Sequence, residues 1–514
     1  MKYFLMLIQL WVGFLPICAS YPKANIWIIP SVESPQVYRN YAQTSKVHLE
    51  MARGEVEHIQ LVFPSKVNEE YRFTFDRNLK GIQISARELK KMNGYYDALV
   101  PFKNQLKCTD TLTAVWITVQ CPSRVPVGKY HQTIKIEGSK HFTIQLDYNV
   151  HHTTIPLKSS IPITVGVENR CVAEGLNDKE ADKERQRWVD FVLSYRMTPV
   201  FGTQITPERW QYEHSFSPWA WNDKRSIRLL NDRRYSCYML PFFTLSENEL
   251  ASLLCNIQKK GKLKESLFYI WDEPAYMEDY EQIKQKVNII RKYASDARIL
   301  TTFFCGPRNG PRKGDLYAVF DYLKHHIHVA TISLAPCKGN EEEVQHIRYK
   351  VPEGIDWWSY VCWQPGGNEP NFLLQMKGIQ QRAIMWRTWK NGSQGFIYWN
   401  CNIYHKRNPF TYITDMPHGD GILIYPGDIL GRKGPIASAR LERWRDGAEE
   451  MELLRLVEKN YSKEKADTLL NIVYSSPLSF IEKAHNIPFF RKELLDQLDK
   501  TIPIDYKLRI TDFI

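Results

Sequence analysis

Residues 266–275 read Ser-Leu-Phe-Tyr-Ile-Trp-Asp-Glu-Pro-Ala, an apolar run that ends in two adjacent acids and a proline. The β-branched and aromatic residues at 267–271 predict a buried strand. Pro274 has no N–H to donate, so it ends the hydrogen-bonding ladder. Asp272 and Glu273 are therefore expected at the carboxyl end of a strand. Because neighbouring side chains of a strand point to opposite faces, these acids can share a pocket only where the chain leaves the sheet.

A purely structural interpretation of the two acids is also open. Proline suits the first position of a helix, and residues 275–293 have a helical pattern. The acids could then simply complement the positive N-terminal end of that helix. The architecture predicted for the rest of the chain decides between the two interpretations.

The composition is that of a globular protein. The chain has 514 residues, of which 43% are hydrophobic and 13% aromatic, enough for two or three domains. The formal charge of +11 is spread along the sequence, without a basic block interleaved with aromatic residues or a nucleic-acid motif. We therefore expect no nucleic-acid partner. The 15 tryptophans and 28 tyrosines are a weak indication of sugar binding.

The N-terminus has the layout of a secretory signal peptide. Lys2 is followed by a hydrophobic stretch at 3–15 and by Pro-Ile-Cys-Ala-Ser at 16–20. We predict cleavage after Ser20 and export to the periplasm, the cell surface or the medium. Lipidation of Cys18 is the less favoured alternative, because the bulky Ile17 precedes it. No later apolar stretch reaches the about 20 residues of a membrane span, so we expect no transmembrane segment in the mature protein.

The cysteines and histidines predict neither a metal site nor a cofactor. Removal of residues 1–20 leaves nine cysteines, without the close pairs of a zinc site or a redox motif. Most are expected to be buried thiols, although Cys108 and Cys121 could form one disulfide in an exported protein. His151 and His152 have no third ligand at metal spacing and are interpreted as structural or exposed.

Two patterns divide the mature chain. Up to about residue 157, short alternating or apolar runs are separated by turns, which predicts a β-sandwich. Strand-like runs then alternate with helical patterns, which predicts parallel strands with crossover helices. The runs number eight, as a (β/α)8 barrel requires. We assign 21–157 to the sandwich, 158–460 to the barrel and 461–514 to a helical segment packed on it. The eight runs are 161–167, 198–202, 235–243, 267–271, 298–303, 328–335, 357–363 and 395–400.

The barrel favours the catalytic interpretation of the two acids. Active sites of such barrels are built at the carboxyl ends of the strands, and Asp272 and Glu273 follow the fourth run. Other runs also end in side chains suited to sugars, and these ends converge on one mouth. For each aromatic residue, packing in the core remains an equal alternative. These side chains are Tyr360 and Trp363 at the seventh run and Tyr398, Trp399, Asn400 and Asn402 at the eighth.

Adjacent acids fit substrate-assisted glycoside hydrolysis best. Most glycosidases use two carboxyl groups on opposite sides of the bond, about 5 Å apart when they retain configuration. A 2-acetamido group that attacks its own anomeric carbon replaces one of them. Glu273 would then protonate the leaving oxygen and later deprotonate water, while Asp272 would orient the acetamido group and stabilise the oxazolinium ion. Tyr360 and Tyr398 are candidates to position the acetamido carbonyl.

The sequence also resembles a known family. Residues 269–274, Tyr-Ile-Trp-Asp-Glu-Pro, are similar to the acid-pair motif of glycoside hydrolase family 123, the β-N-acetylgalactosaminidases and their relatives. Further stretches along nearly the whole mature chain agree with the same family. They are 52–55 with Gln60, 193–199, Arg382 with Trp386, 395–399 with Asn402, 419–421 with 425–427, and 435–447.

The resemblance implies a fold, an activity and a set of residues. The fold is an N-terminal β-sandwich followed by a catalytic (β/α)8 barrel. The activity is retaining, acetamide-assisted removal of a terminal β-linked N-acetylgalactosamine or a related 2-acetamido sugar from a glycan. Arg440, Glu442 and Asp446 are interpreted as a structural charge network. The predicted catalytic residues are Asp272 and Glu273, and the predicted substrate-binding residues are Trp271, Tyr360, Trp363, Trp386, Tyr398, Trp399, Asn400, Asn402 and Asp420.

Two other functions remain open. One is a non-catalytic, glycan-binding surface protein on a glycosidase scaffold. The other is a conventional retaining glycosidase with two carboxylates, in which a distant acid such as Asp356 or Asp420 is the nucleophile.

Overall fold

A computed structural model describes residues 25–76, 80–206, 211–404, 408–410 and 418–501 of the chain. The predicted signal peptide at 1–20, with Cys18, lies outside these residues, so export remains a prediction. Within the described ranges, no helix combines the length and the apolar character needed to span a membrane.

The first ten strands form two five-stranded sheets that face each other, which confirms the predicted β-rich N-terminal region. The sheet orders are β1-β3-β8-β5-β6 and β2-β10-β9-β4-β7. Alternating apolar residues of both sheets, such as Leu61, Ile117 and Ile144, fill a buried core between them. The strands are β1 (Trp27–Pro30), β2 (Lys46–Arg53), β3 (Glu55–Pro64), β4 (Glu70–Phe75), β5 (Gln83–Met92), β6 (Tyr95–Pro101), β7 (Gln105–Lys107), β8 (Leu112–Cys121), β9 (Gly128–Glu137) and β10 (His141–Thr154).

The disulfide considered between Cys108 and Cys121 is not formed. Both residues are buried thiols. The Cys108 thiol lies beside Thr113, near the start of β8, whereas Cys121 is the last residue of that strand. Eight residues of strand span roughly 27 Å, far beyond the reach of a disulfide.

A third sheet contains eight parallel strands, one in each of the eight predicted runs. Their spatial order, 2-1-8-7-6-5-4-3 when numbered along the chain, is the circular order of a (β/α)8 barrel. The described strands of this sheet are β11 (Ile163–Glu168), β12 (Thr198–Thr206), β13 (Gln211–Ser215), β14 (Tyr238–Met239), β15 (Ser266–Trp271), β16 (Arg298–Phe303), β17 (Val329–Ser333), β18 (Asp356–Val361) and β19 (Phe396–Tyr398).

The sheet differs from a regular (β/α)8 barrel at one seam. Across the parts of the chain described, no ladder joins β12 to β14, and the ninth strand β13 pairs antiparallel with β12 instead. β14 is only two residues long, and its Met239 carbonyl accepts a hydrogen bond from Phe216 N, just after β13 (2.7 Å). The result is a nearly closed, nine-stranded mixed sheet with a hairpin in the gap between the second and third parallel strands.

Helices cover the outside of this sheet and continue into the C-terminal segment, as predicted. A short antiparallel pair, β20 (Ile424–Pro426) and β21 (Pro435–Ala437), precedes the longest helix. The helices are α1 (Asn169–Ala173), α2 (Asp178–Ser194), α3 (Lys224–Leu229), α4 (Glu247–Lys259), α5 (Met277–Arg291), α6 (Ala318–Leu323), α7 (Glu341–Lys350), α8 (Gly378–Lys390), α9 (Ala439–Asn460), α10 (Lys463–Leu470) and α11 (Ile487–Asp499).

Buried charges on α9 join the sandwich to the barrel. Glu442 accepts hydrogen bonds from Arg87 of the sandwich (2.5 Å) and from Tyr195 of the barrel (2.7 Å). Arg440 pairs with Asp97 of the sandwich (2.9 Å). Asp446 forms an ion pair with Arg382 on α8 (3.1 Å). The imidazole of His58 in the sandwich lies 3.3 Å from Asp446 Oδ1, but burial lowers the pKa of His58 to about 4, so this contact is not an ion pair at neutral pH. The three charged residues predicted to be structural therefore lie in this interface.

The C-terminal helix α11 packs on both domains, not on the barrel alone. It contacts α9 and also β2 and β10 of the sandwich. His151 lies between Glu50 (2.7 Å) and Asp499 of α11 (2.9 Å). Despite its burial, hydrogen bonds to Asp499 and Glu50 raise the pKa of His151 to about 9. His151 therefore has a structural role.

Candidate active site

A β-bulge at the end of β15 lets the two adjacent acids share one cavity. Tyr269 pairs with Leu300 and Trp271 with Thr301, so Ile270 is an extra residue without a partner in β16. Glu273 then adopts a left-handed backbone conformation, with φ of 45°. Such a conformation costs a non-glycine residue about 1–3 kcal/mol and is typical of functional sites. In a regular strand the side chains of Asp272 and Glu273 would point to opposite faces of the sheet. The bulge and this turn together direct both side chains into the cavity.

Two hydroxyl groups fix the carboxylate of Asp272. Tyr269 Oη and Thr302 Oγ1 each donate a hydrogen bond to Asp272 Oδ1, both at 2.7 Å. Thr302 Oγ1 also accepts a hydrogen bond from the backbone N–H of Glu273 (3.1 Å). In this arrangement each of the two hydroxyl groups donates its single proton to Asp272 Oδ1. Among the described residues, no donor contacts the other carboxylate oxygen, Asp272 Oδ2. Asp272 is thus held by one oxygen, with the other open to a ligand.

Glu273 is accessible from the cavity, but the protein around it desolvates its carboxylate. This desolvation, followed by repulsion from Asp272, raises the pKa of Glu273 to about 7. The Tyr360 hydroxyl donates a hydrogen bond to Glu273 Oε1 and opposes the rise. A carboxyl group with this pKa can both donate and accept a proton near neutral pH.

Both acids line a cavity of about 990 Å³ at the carboxyl ends of the parallel strands. Its wall contains most of the predicted site residues. They are Trp271, Asp272, Glu273, Tyr360, Trp363, Tyr398, Trp399 and Asn400.

Three predicted substrate-binding residues do not line this cavity. Trp386 on α8 is fully buried, where its indole N–H donates to Glu450 (2.8 Å) and its ring packs on Phe490. Asn402 is also fully buried, and its side chain bonds both the N–H (2.8 Å) and the carbonyl (3.2 Å) of Glu168. In this structure both side chains are held by interior contacts and do not face the cavity.

Asp420, the third of these residues, lies behind the cavity wall. Its Oδ1 accepts hydrogen bonds from the Trp399 indole (3.0 Å) and the Tyr398 hydroxyl (3.1 Å). Burial raises the pKa of Asp420 to about 6. Asp420 therefore orients two side chains of the wall and does not itself reach a ligand in the cavity.

Neither acid considered as a distant nucleophile is placed for that role. Asp356 is the first residue of β18, at the opposite end of the sheet from the cavity, and forms an ion pair with Arg298. Asp420 is separated from the cavity by Trp399 and Tyr398. The structure thus contradicts both of these assignments.

Sequence reasoning missed several residues of the site. Tyr269 and Thr302 hold Asp272, and His214 of β13 stacks on the Tyr269 ring and lines the cavity. Arg308 lines the cavity mouth. The strand pattern could have revealed Tyr269, because residues 267 and 269 share the inner face of the barrel. His214 gave no such signal, since β13 was not predicted.

Among the residues that the structure describes, no group of three or more His, Cys, Asp or Glu side chains is arranged to hold a metal ion.

A family model for the catalytic domain of glycoside hydrolase 123 matches residues 183–457, more than half of the chain and including both acids. The chain belongs to glycoside hydrolase family 123. The resemblance of residues 269–274 to this family is thereby confirmed. No curated protein sequence matches this family 123 hydrolase.

The fold agrees with a solved member of the family. A family 123 glycoside hydrolase from Clostridium perfringens, studied for glycolipid glycan hydrolysis, is similar with a TM-score of 0.63 and 14% identity, over 95% of this chain and 100% of that chain. At this identity, the likeness shows a shared fold.

Two other glycosidases are only weakly similar to this chain. One is a family 2 hydrolase from Bacteroides cellulosilyticus DSM 14838, with a TM-score of 0.28, 11% identity, and coverage of 71% of this chain and 46% of that chain. The other is an FMN-binding β-glucuronidase from Facaelibacterium prausnitzii L2-6, with a TM-score of 0.32, 9% identity, and coverage of 78% and 59%.

Proposed function

We propose that this family 123 hydrolase removes a terminal β-linked N-acetylgalactosamine, or a related 2-acetamido sugar, from a glycan with retention of configuration. The observation that carries the proposal is the arrangement of Asp272 and Glu273. One carboxylate is fixed by two hydroxyl groups, its neighbour has a pKa near 7, and both face one cavity. Adjacent acids suit a reaction in which the substrate supplies its own nucleophile.

Glu273 acts on the leaving oxygen in the first step. The carbonyl oxygen of the acetamido group attacks the anomeric carbon, the bond from that carbon to the leaving oxygen breaks, and Glu273 gives its proton to that oxygen. In the second step a water molecule attacks the same carbon, and the Glu273 carboxylate takes the proton. The ring opens to restore the acetamide, so the configuration is retained after two inversions.

Asp272 acts on the acetamido group in both steps. Its free Oδ2 can accept a hydrogen bond from the acetamide N–H, which turns the carbonyl oxygen towards the anomeric carbon. The negative charge also stabilises the cationic oxazolinium intermediate. Because Tyr269 and Thr302 already fix Oδ1, the carboxylate does not need to reorganise as this charge develops.

The glycan to which the sugar is attached is proposed from the wider family. The structurally similar C. perfringens enzyme was studied for hydrolysis of glycolipid glycans. A cavity that opens at the strand ends, with exposed aromatic side chains at its mouth, is compatible with a terminal sugar on such a glycan.

Hydrolysis of two matched aryl glycosides tests the proposed reaction. We expect the wild type to cleave an aryl β-N-acetylgalactosaminide at least about a hundredfold faster than the aryl β-galactoside, since an intramolecular nucleophile provides a large effective concentration. Glu273→Gln should lower kcat by about 10²- to 10⁴-fold. Equal rates on both glycosides, together with full activity of Glu273→Gln, would refute the proposal.

Asp356→Asn is a matched control for a carboxylate outside the cavity. It should retain the wild-type rate, because Asp356 lies at the far end of the sheet. Loss of activity in this variant, restored by azide, would instead support a conventional nucleophile. Tight glycan binding without turnover, unchanged by Asp272→Asn, would support the non-catalytic alternative.

We also propose that the enzyme is exported. The support is the pattern of residues 1–20. Mass spectrometry of the protein purified from its natural host should find a mature chain that begins at Tyr21. A chain that retains residues 1–20, or one with a lipid on Cys18, would contradict cleavage after Ser20.

A further inference from the structure

The cavity mouth has two exposed aromatic side chains beside Glu273. Trp363 is 42% exposed and Tyr276 is 46% exposed, and both line the cavity. Trp363 is supported by Phe304, which stacks on it with ring centroids 6.4 Å apart and 19° between the planes. Large aromatic faces that remain open at a cavity mouth can pack against the apolar faces of sugars.

A guanidinium group lies at the same mouth. Arg308 lines the cavity, and its backbone N–H donates to the carbonyl of Ala275 (2.7 Å). Its guanidinium lies over the Tyr276 ring, with Cζ 6.0 Å from the ring centre, and the Cys305 thiol is a further neighbour. Within the described ranges, Arg308 forms no ion pair with a carboxylate, whereas Arg312 on the same loop pairs with Asp315 and Asp321.

These side chains line the same cavity as Glu273. Glu273 is the group that would protonate the leaving oxygen, and Tyr276 follows it by three residues. Trp363 follows Tyr360, which donates to the Glu273 carboxylate. Desolvation and the charge of Asp272 raise the pKa of Glu273. The positive charge of Arg308 opposes that rise, so Arg308 is near enough to interact with the Glu273 carboxylate.

We propose that this mouth is a subsite for an acidic sugar on the leaving-group side of the bond, in which Arg308 recognises the anionic group between Tyr276 and Trp363. A planar guanidinium can donate two parallel hydrogen bonds to a carboxylate or a sulfate. The inference rests on the proposed hydrolytic function and adds the chemical class of the second sugar.

The two other carboxylates at this rim, those of Glu278 and Asp279, form no ion pair with Arg308 in the described part of the chain. Glu278 also lines the cavity, but its carboxylate accepts a hydrogen bond from the Asn309 amide (3.3 Å) and lies outside ion-pair distance of Arg308. Asp279 accepts from the backbone N–H groups of Ala275 and Tyr276 (both 2.9 Å) and caps α5. Arg308 therefore keeps a donor face for an incoming anion.

Three disaccharides that differ only in the leaving sugar test the subsite. Each has the same terminal 2-acetamido sugar, joined to a neutral, a carboxylated or a sulfated partner. At low ionic strength we expect kcat/KM to be about two- to fivefold higher for one or both acidic disaccharides, since exposed ion pairs are individually weak. The two acidic substrates show whether the anion is a carboxylate or a sulfate. In about 1 M salt the preference should disappear, because the Debye length falls to about 3 Å.

The contribution of Arg308 is measured by the ratio of kcat/KM for an acidic disaccharide to kcat/KM for the neutral one, compared between the wild type and Arg308→Gln. Arg308→Gln should lower this ratio to about one, since only the anion contact distinguishes the substrates. Because both are measured on the same variant, any change in the pKa of Glu273 cancels from the ratio. Lys313→Gln is the matched control, since it removes the same charge from an exposed position of the same loop outside the cavity wall. Its ratio should equal that of the wild type.

The outcomes separate this inference from the proposed function. If the wild type cleaves the aryl β-N-acetylgalactosaminide but shows no preference for either acidic disaccharide, the acidic subsite is refuted and the hydrolytic function stands. A preference that persists unchanged in Arg308→Gln also refutes it. If the wild type cleaves none of the acetamido substrates, both proposals fail.

Discussion

The imidazole of His214 lies flat against the ring of Tyr269, with 4.2 Å between the ring centroids and 8° between the planes. Tyr269 in turn donates one of the two hydrogen bonds that fix Asp272. Desolvation lowers the pKa of His214 to about 3, so the imidazole is neutral at physiological pH. The extra strand β13 thus supports the tyrosine without placing a positive charge beside the carboxylate.

Substitutions of His214 should show whether stacking is its main contribution. His214→Ala removes the flat surface behind Tyr269 and should lower kcat by about three- to tenfold, the range expected from one aromatic pair. His214→Phe is the matched control, because it keeps a flat ring and should retain most of that activity. Steady-state kinetics on the aryl β-N-acetylgalactosaminide provides the measurement. Equal loss in both variants would show that the ring nitrogens, and not the stacking, are required.

Tyr360 should control the alkaline limb of the pH profile. The first step needs protonated Glu273, so kcat/KM should fall as pH rises through about 7. The Tyr360 hydroxyl stabilises the Glu273 carboxylate and therefore keeps this pKa lower than burial and Asp272 alone would set it. Tyr360→Phe removes that donor, so the pKa of Glu273 should rise and the alkaline limb should move to higher pH. A profile of log kcat/KM against pH that is unchanged or shifted to lower pH would contradict this role.

The sequence predicted the parts of the fold that depend on local pattern. The apolar run at 267–271 and the proline that follows it placed Asp272 and Glu273 at a strand end, because strand propensity and the missing N–H act within a few residues. Counting similar runs predicted the eight parallel strands, but not the antiparallel strand β13 that makes the sheet nine-stranded. The way both acids reach one cavity was not predictable, since the bulge at Ile270 depends on the register with β16.

The rest of the site depends on contacts between distant residues. Trp386 and Trp399 are the same residue type, but one packs inside the helical layer and the other lines the cavity. Composition cannot distinguish them, because barrel cores and sugar sites both use large aromatic side chains. His214 reaches the cavity only because β13 fills the seam of the sheet, and that seam follows from the short β14.

Arg491 on α11 should be essential for the stability of the domain interface. Its guanidinium lies 2.7 Å from Glu55, 2.9 Å from Glu57 and 3.5 Å from Glu450, and it is almost fully buried. Arg491→Ala leaves the buried Glu55 and Glu57 without their ion-pair partner, whereas Glu450 keeps its pair with Arg382. The substitution should lower the free energy of unfolding by about 3–5 kcal/mol.

Thermal unfolding at pH 7 measures this loss, with Lys492→Ala as the matched control. Lys492 is the next residue on α11 and pairs with Asp496 at the surface. Its removal should change the free energy of unfolding by less than about 1 kcal/mol. A similar Tm for both variants would show that the buried cluster contributes little beyond a surface pair.

Gly166 should be required for the position of Trp399. A Cβ at residue 166 would lie 1.8 Å from the carbonyl oxygen of Trp399 and 2.7 Å from its carbonyl carbon, and neither backbone atom can move without shifting β19 and the cavity wall. Gly166→Ala should therefore lower the free energy of unfolding by about 1–3 kcal/mol and reduce kcat/KM, because Trp399 lines the cavity. Gly366→Ala is the matched control, since a Cβ there meets no atom within 4 Å, and it should keep both the Tm and the activity of the wild type. If the two alanine variants have the same Tm and kcat/KM, the close approach of β11 to Trp399 is not a constraint on the site.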